Sequence, residues 1–341
     1  MNMNNYPQTD PWCIIEESFQ PDKQIESESI FSLGNGYISQ RANFEEYYSG
    51  ETIIGSYISG AYYNDSDQNK AIQNEILNYS NGIIKTPNCI GIIIRLNDEI
   101  LDLETWDVQD FKRVLNMHEG FLERTFEAIS TNNHRVLVSV KRFLSMSETE
   151  IGAISYSVKS LNFEGRISFM PIISADIQGT SLDDNQQLWN VLQIQTQQDV
   201  SHLWAQTRRI DFHFCAGLCY VLYKNNEQLK VNPIKIEKEK IAGFSVGVDV
   251  RIGDTICLNK YFSIIDSLNH PQESLPEKAC LLAINAKKKG WNKLFEEHSA
   301  VWAEKWLTMD VLINESIEAQ QAIRHKIFSS ILNLEVERVK A

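Results

Sequence analysis

The residues able to do chemistry are mostly carboxylates. Asp102 and Glu104 alternate in LDLETWD, while Asp183 and Asp184, and Glu296 and Glu297, are adjacent pairs. Two carboxyl groups about 5 to 10 Å apart across a sugar would suit acid–base cleavage of a glycosidic bond. Sequence spacing does not define that separation, and the alternation in LDLETWD reads as a strand with one wet face. The histidines show no HExxH or other metal spacing. Cys215 and Cys219 share one face of a strand but stand too far apart for a local zinc clamp. No Gly-x-Ser-x-Gly elbow occurs. His298, inside an aromatic stripe, reads as a packed helix residue. Trp106, Trp189 and Trp204 have faces that could stack on a sugar, but core packing is the commoner use of such rings.

A second chemical feature is LGNGYISQRANFEE, residues 33 to 46. Gly34-Asn35-Gly36 reads as a turn needing positive φ, which glycine supplies and asparagine tolerates. It is not a dinucleotide loop, because no strand, spaced third glycine and helix follow in order. It is not a phosphate loop either, since no Gly-Lys-Ser/Thr follows. Arg41 with Glu45 or Glu46 could form a buried ion pair holding this turn against a sheet, although a solvated face is the commoner outcome for such charges.

These residues sit in an acidic chain of 341 residues. Its 32 Lys and Arg against 45 Asp and Glu leave a net charge of −13. Such a surface disfavours nucleic acid and anionic membranes, both of which need a positive field. A local basic pocket could still take a phosphorylated small molecule. No apolar run approaches the roughly 18 residues of a membrane span, and MNMNNYPQTDPWC lacks the pattern of a signal peptide. Six scattered cysteines then read as reduced thiols, and the expected location is the cytoplasm.

The elements that must position these side chains are mainly strands. From about residue 30 to 270, β-rich runs are separated by polar turns such as STNNH, NFEG and KNNEQ. ISYSVKS places Ile154, Tyr156 and Val158 on one face and Ser155, Ser157 and Lys159 on the other. Strands without intervening helices imply antiparallel sheets packed as a large sandwich. The pattern changes after residue 272. Ser274 and Glu277 suggest a capping box with Pro276 in the first turn. Lysines 287 to 289 and Gly290 suggest a helix end or kink. Trp291, Phe295, His298, Trp302 and Trp306 recur at helical steps, and Ile323, Ile327, Phe328 and Ile331 mark one side of a further helix.

ESIFSLGNGYISQRANFEE, GSYISGAYY and the run from PNCIGIIIRL to MHEGFLERTF together resemble glycoside hydrolase family 65. ISYSVKSLNFEGRISF, HSAVWAEKWLTMDVLI and QQAIRHKIF extend the resemblance over nearly the whole chain. It implies a mainly β fold: a large antiparallel β-supersandwich, similar to galactose mutarotase, then linker α-helices and the first helix of an (α/α)6 barrel. The implied boundaries are 1–272 for the sandwich, 273–313 for the linker and 314–341 for the start of the catalytic domain. The resemblance further implies a phosphorylase or hydrolase acting on α-glucosidic disaccharides. In the phosphorylases, phosphate attacks the anomeric carbon while a barrel glutamate protonates the leaving oxygen, so configuration inverts. The partners so implied are an α-linked glucose disaccharide and inorganic phosphate in the full-length enzyme, with a homodimer as the expected assembly. No cofactor, nucleic acid or membrane is implied.

The family's WDTE and GFTGEKYGG segments have no counterpart here, so no catalytic residue is carried over. Cys89 stands where the family pattern has tryptophan, QRAN replaces VRGN, and SSILNLEVERVKA departs from the family's continuation. The implied nearness of the LGNGY turn to the barrel makes Asn35, Tyr37 and Arg41 substrate-binding candidates, and Trp106 joins them as a ring that could stack on a sugar. Residues 315 to 341 are expected to be poorly ordered, or packed on a neighbouring molecule through Ile323, Ile327 and Phe328, for want of that barrel. The rival readings are a non-catalytic carbohydrate-binding or scaffolding sandwich and an epimerase-like enzyme on the mutarotase-type fold.

Overall fold

The computed structural model describes residues 10–62, 83–176, 188–208, 211–313 and 316–333. The chain opens with strand β1 (Cys13–Glu16) and helix α1 (Gln24–Ile30). Four short strands follow, β2 (Leu33–Gly34), β3 (Ile38–Gln40), β4 (Ser56–Tyr62) and β5 (Ile83–Lys85), then β6 (Ile92–Leu96) and β7 (Glu99–Ile100). The long strands are β8 (Asp107–Asn116), β9 (Phe121–Ile129), β10 (Arg135–Leu144), β11 (Ile151–Ser160) and β12 (Gly165–Ser174). Next come β13 (Trp189–Gln197), β14 (Val200–Thr207), β15 (His213–Lys224) and β16 (Glu227–Leu229). β17 (Ile234–Lys238), β18 (Ile241–Val250) and β19 (Thr255–Asp266) complete the strands, before α2 (Leu275–Met309) and α3 (Ile317–Asn333).

The strands form three antiparallel sheets. The ten-stranded one runs β1-β8-β9-β10-β11-β19-β15-β14-β13, with β16 on β15. Five strands run β17-β18-β12-β6-β7, and four run β2-β3-β4-β5. The expected sandwich is present: Tyr156 meets Phe169 and Tyr220 meets Phe244 across the two larger sheets, at ring-centroid distances of 6.4 and 5.2 Å. Tyr156 and Val158 are buried while Lys159 is exposed, as the period-2 reading requires.

β15 and β19 depart from alternation because both their faces are covered. One face joins the main core, and α2 packs on the other through Leu275, Ala279, Ala286 and Leu294. Lys260 on β19 has no exposed surface, and its Nζ donates to the carbonyls of Gly91 (2.9 Å) and Ile172 (2.8 Å), bracing one sheet on the other. Burial pushes its pKa down to about 7. A neutral amine has two N–H donors, matching the two carbonyls that meet it.

Local expectations were met unevenly. LDLETWD is a turn, not a strand. The Asp102 carboxylate accepts from the backbone N–H groups of Ser49 and Glu104, and its carbonyl accepts from Thr105 and Trp106. The capping box does not form: Ser274 caps nothing with its side chain and donates instead to the Pro271 carbonyl. The kink at Gly290 is real, with φ 79° and ψ 167° dividing α2. Of the aromatic stripe beyond it, His298, Trp302 and Trp306 are buried, while Trp291 and Phe295 are half-buried.

The expectation for the last helix is corrected. α3 packs on its own chain: Phe328 stacks on Trp302 at 4.8 Å, and Phe328, Ile331 and Leu332 join the main core. Its polar side is also engaged. Gln321 donates to the carbonyls of Asp10 and Cys13, and Arg324 grips Asp310 while lying over Trp12 at 3.5 Å. α2 and the sandwich together therefore supply the apolar contact expected from elsewhere. Residues 334–341 lie outside the described residues. Among the described residues no helix is long and apolar enough to cross a membrane.

Candidate functional site

Asn35 sits at the tip of the β2–β3 hairpin. Its Oδ1 accepts from the N–H groups of Tyr37 (3.1 Å) and Ile38 (2.8 Å), closing the turn. Its Nδ2 donates to the carbonyls of Ser145 and Thr149, both at 2.8 Å, tying the turn to the β10–β11 connection. Gly36 has φ 87°, the left-handed region expected from the sequence. Gly36→Ala is expected to destabilise the protein by about 1–2 kcal/mol. Denaturant unfolding would measure this, and an unchanged midpoint would contradict the turn's need for glycine.

Tyr37 is buried, and its hydroxyl donates to Asp266 Oδ2 at 2.5 Å. Burial first, and then the Asp266 charge, push the phenol's pKa far upward, so it stays protonated. Asp266 also accepts from the N–H groups of Leu268 (2.7 Å) and Asn269 (3.1 Å), which fixes the chain leaving β19. Nearby, His270 bonds Glu150.

Arg41 does not pair with Glu45 or Glu46, contrary to expectation. Its Nη2 donates to the Ile25 carbonyl at 2.8 Å and lies 3.7 Å from Glu28. The two glutamates instead enter a buried network. Arg124 grips both oxygens of Glu46 and reaches Glu45 at 2.8 Å. Arg142 donates to Glu45 (2.7 Å) and to the carbonyls of Asn43 and Arg41. The Tyr156 hydroxyl adds a bond to Glu46 at 3.2 Å. Burial opposes the charge on Glu45, but Arg142 and Arg124 hold its pKa below the usual carboxylate range.

Trp106 is buried in the main core and does not present a stacking face. Trp189 is likewise buried, its Nε1 donating to the Lys85 carbonyl, and Trp204 is half-buried beside His213. His298 is enclosed as a packed residue: Nε2 meets the Gly120 carbonyl, Nδ1 accepts from Met146 N–H, and burial lowers its pKa to about 4. Glu296 and Glu297 pair with Lys293 and Lys289 on the helix surface. Asp183 and Asp184 lie outside the described residues.

The four candidates are thus not gathered around one cleft. Asn35 and Tyr37 share a buried strut system, Arg41 stands on the small sheet, and Trp106 belongs to the core. A surface dish of about 710 Å³ lies between Asn97, Glu164, Arg166, Asp249, Arg251 and Asp254, and none of the four lines it. Sequence reasoning missed Arg124, Arg142, Asp266, Lys260 and Lys85. For Lys85 a signal existed: in IIK, alternation turns it away from buried Ile84. Its partners become visible only once β5 pairs with β4. What this arrangement does chemically is hold a platform rigid.

Residues 14–305 match the family model described as glycosyl hydrolase family 65, N-terminal domain. The chain is 27% identical to the maltose phosphorylase of Bacillus subtilis over 319 residues, spanning 94% of this chain and 42% of that protein. It is 26% identical to the α,α-trehalose phosphorylase of Thermoanaerobacter brockii, with coverage of 95% and 43%. A solved structure from the human microbiome, assigned provisionally as a kojibiose phosphorylase, superposes with a TM-score of 0.83 at 26% identity. It is matched over 96% of this chain and 42% of its own. The chain therefore spans less than half the length of these relatives and carries the part of them that the family model names. By that match, and by the fold that goes with it, this chain belongs to glycosyl hydrolase family 65, as its N-terminal domain.

Proposed function

We propose that this chain is the β platform and helical linker of an inverting phosphorylase that converts an α-linked glucose disaccharide and phosphate into β-glucose 1-phosphate and a free sugar. The observation that carries the reading is the match of residues 14–305 to the family's N-terminal domain, together with relatives named as maltose and trehalose phosphorylases. The boundaries 1–272, 273–313 and 314–341 belong to the same reading. The cytoplasm and a homodimer are its expected setting. The buried placement of Trp106 and Trp189 takes away two of the three tryptophans on which the carbohydrate-holding alternative could rest.

On this reading the reaction belongs to a helical part that the relatives have in addition. The 341-residue chain by itself is expected to release no glucose 1-phosphate from maltose, kojibiose, trehalose or nigerose in the presence of phosphate. An enzyme-coupled assay for glucose 1-phosphate would check this, and turnover by this polypeptide alone would sink the division of labour.

A further inference from the structure

The small sheet assembles a group of hydrogen-bond donors whose capacity the contacts above use only in part. Arg41 N–H bonds the Gly55 carbonyl at 2.9 Å, and Tyr57 stands directly across from Lys85. Strand alternation puts Arg41, Tyr57 and Lys85 on one face. Arg41 Cδ and the Tyr57 hydroxyl approach the point where a Cβ on Gly55 would stand, to 2.7 and 2.8 Å, so they meet over that glycine.

Part of this donor capacity is left over after Arg41 Nη2 has donated to the Ile25 carbonyl. Arg41 Nε is buried without a hydrogen-bond partner. Lys85 is only 8% exposed, and among the described residues nothing accepts from its ammonium. Burial, then the charge of Arg41, bring its pKa down to about 8, against the pull of Glu28. Glu28 is a weak counter-ion here, because its oxygens already accept from Thr52 Oγ1, Ile53 N–H (3.0 Å) and Gln24 Nε2 (3.2 Å). Two cations therefore face one committed carboxylate, in a chain whose net charge is −13.

We propose that Arg41, Lys85 and the Tyr57 hydroxyl form a binding site for a small phosphate-type oxyanion, either the inorganic ion or the phosphate of a monoester. The site offers donors and positive charge, so it fits a ligand that has only acceptors and more than one negative charge. A tetrahedral oxyanion can accept from several donors at once, where a neutral sugar would have to compete with the two charges. The site stands whether or not the chain is part of a phosphorylase.

Calorimetry at pH 7 and constant ionic strength, with inorganic phosphate and separately with glucose 1-phosphate, tests it. One equivalent is expected to bind, with affinity reduced at least tenfold in Arg41→Gln and in Lys85→Gln. Lys85→Arg is expected to retain binding and to lose the weakening that the natural chain shows as pH rises from 7 to 9.5, since the lysine then gives up its proton. Tighter binding of glucose 1-phosphate would identify a monoester site, and equal or tighter binding of inorganic phosphate a site for the free ion. No heat from either probe, or unchanged affinity in folded Lys85→Gln, would overturn the proposal.

Discussion

Arg124→Met is expected to lower folding stability by about 3–5 kcal/mol, the loss typical when one member of a buried ion pair is removed. Arg124, Glu45 and Glu46 are all buried, and among the described residues Arg142 supplies the only other cation bonded to the two glutamates. Without Arg124, two carboxylates would share one guanidinium out of reach of water. Methionine roughly keeps the volume, so the effect isolates charge rather than a cavity. Adding Glu46→Gln to Arg124→Met should recover more than half of the loss, because one cation then again faces one carboxylate. Chemical denaturation of the three proteins decides the matter. A single-variant midpoint shifted by less than about 0.5 kcal/mol would show that the network is not what holds the glutamates.

A second large effect is expected at Lys260, and it depends on pH. An ordinary lysine holds its proton up to about 10.5, whereas burial brings this one down to about 7. Between those values the unfolded chain binds the proton more tightly than the folded chain does. Raising the pH through that window therefore favours folding, by at most about 1.4 kcal/mol per unit. Lys260→Met removes the titrating group and should flatten that part of the profile. Relative to the natural chain, the variant should be about 3 kcal/mol better off at pH 6 than at pH 9. Parallel profiles for the two proteins would show that the amine keeps its proton in the folded state.

How much of this was legible beforehand differs from element to element. ISYSVKS could be read because β11 has one face in the core and one face partly wet, so polarity alternates with the pleat. β19 shows no such code, since nearly every residue from Asn259 to Asp266 is buried whichever way it points. LDLETWD misled because an aspartate turn produced the same alternation as a strand. The Asn35 turn was legible, because closing a turn is a local act of neighbouring residues. Its partners at Ser145 and Asp266 were not, being more than a hundred residues away along the chain.

The same distance explains the failed pairing of Arg41 with Glu45 or Glu46. Adjacency in sequence favoured it, but Arg124 and Arg142, brought in from β9 and β10, offer better-aligned and drier partners. Trp106, Trp189 and Trp204 show the limit from the other side. Composition shows that large rings exist; only packing decides whether they face a sugar or one another.

Among the described residues, and apart from its own helix backbone and chain neighbours, nothing lies within 4 Å of the place where a side chain at Gly290 would begin. The corner in α2 is thus shaped by the backbone of one residue and by the purchase its two arms have on the sheet, with no third body wedged into it. The forward arm carries Trp302 and Trp306, and α3 leans on it through Phe328. Any segment joined beyond α3 would take its compass bearing from that one bend, set more than forty residues upstream.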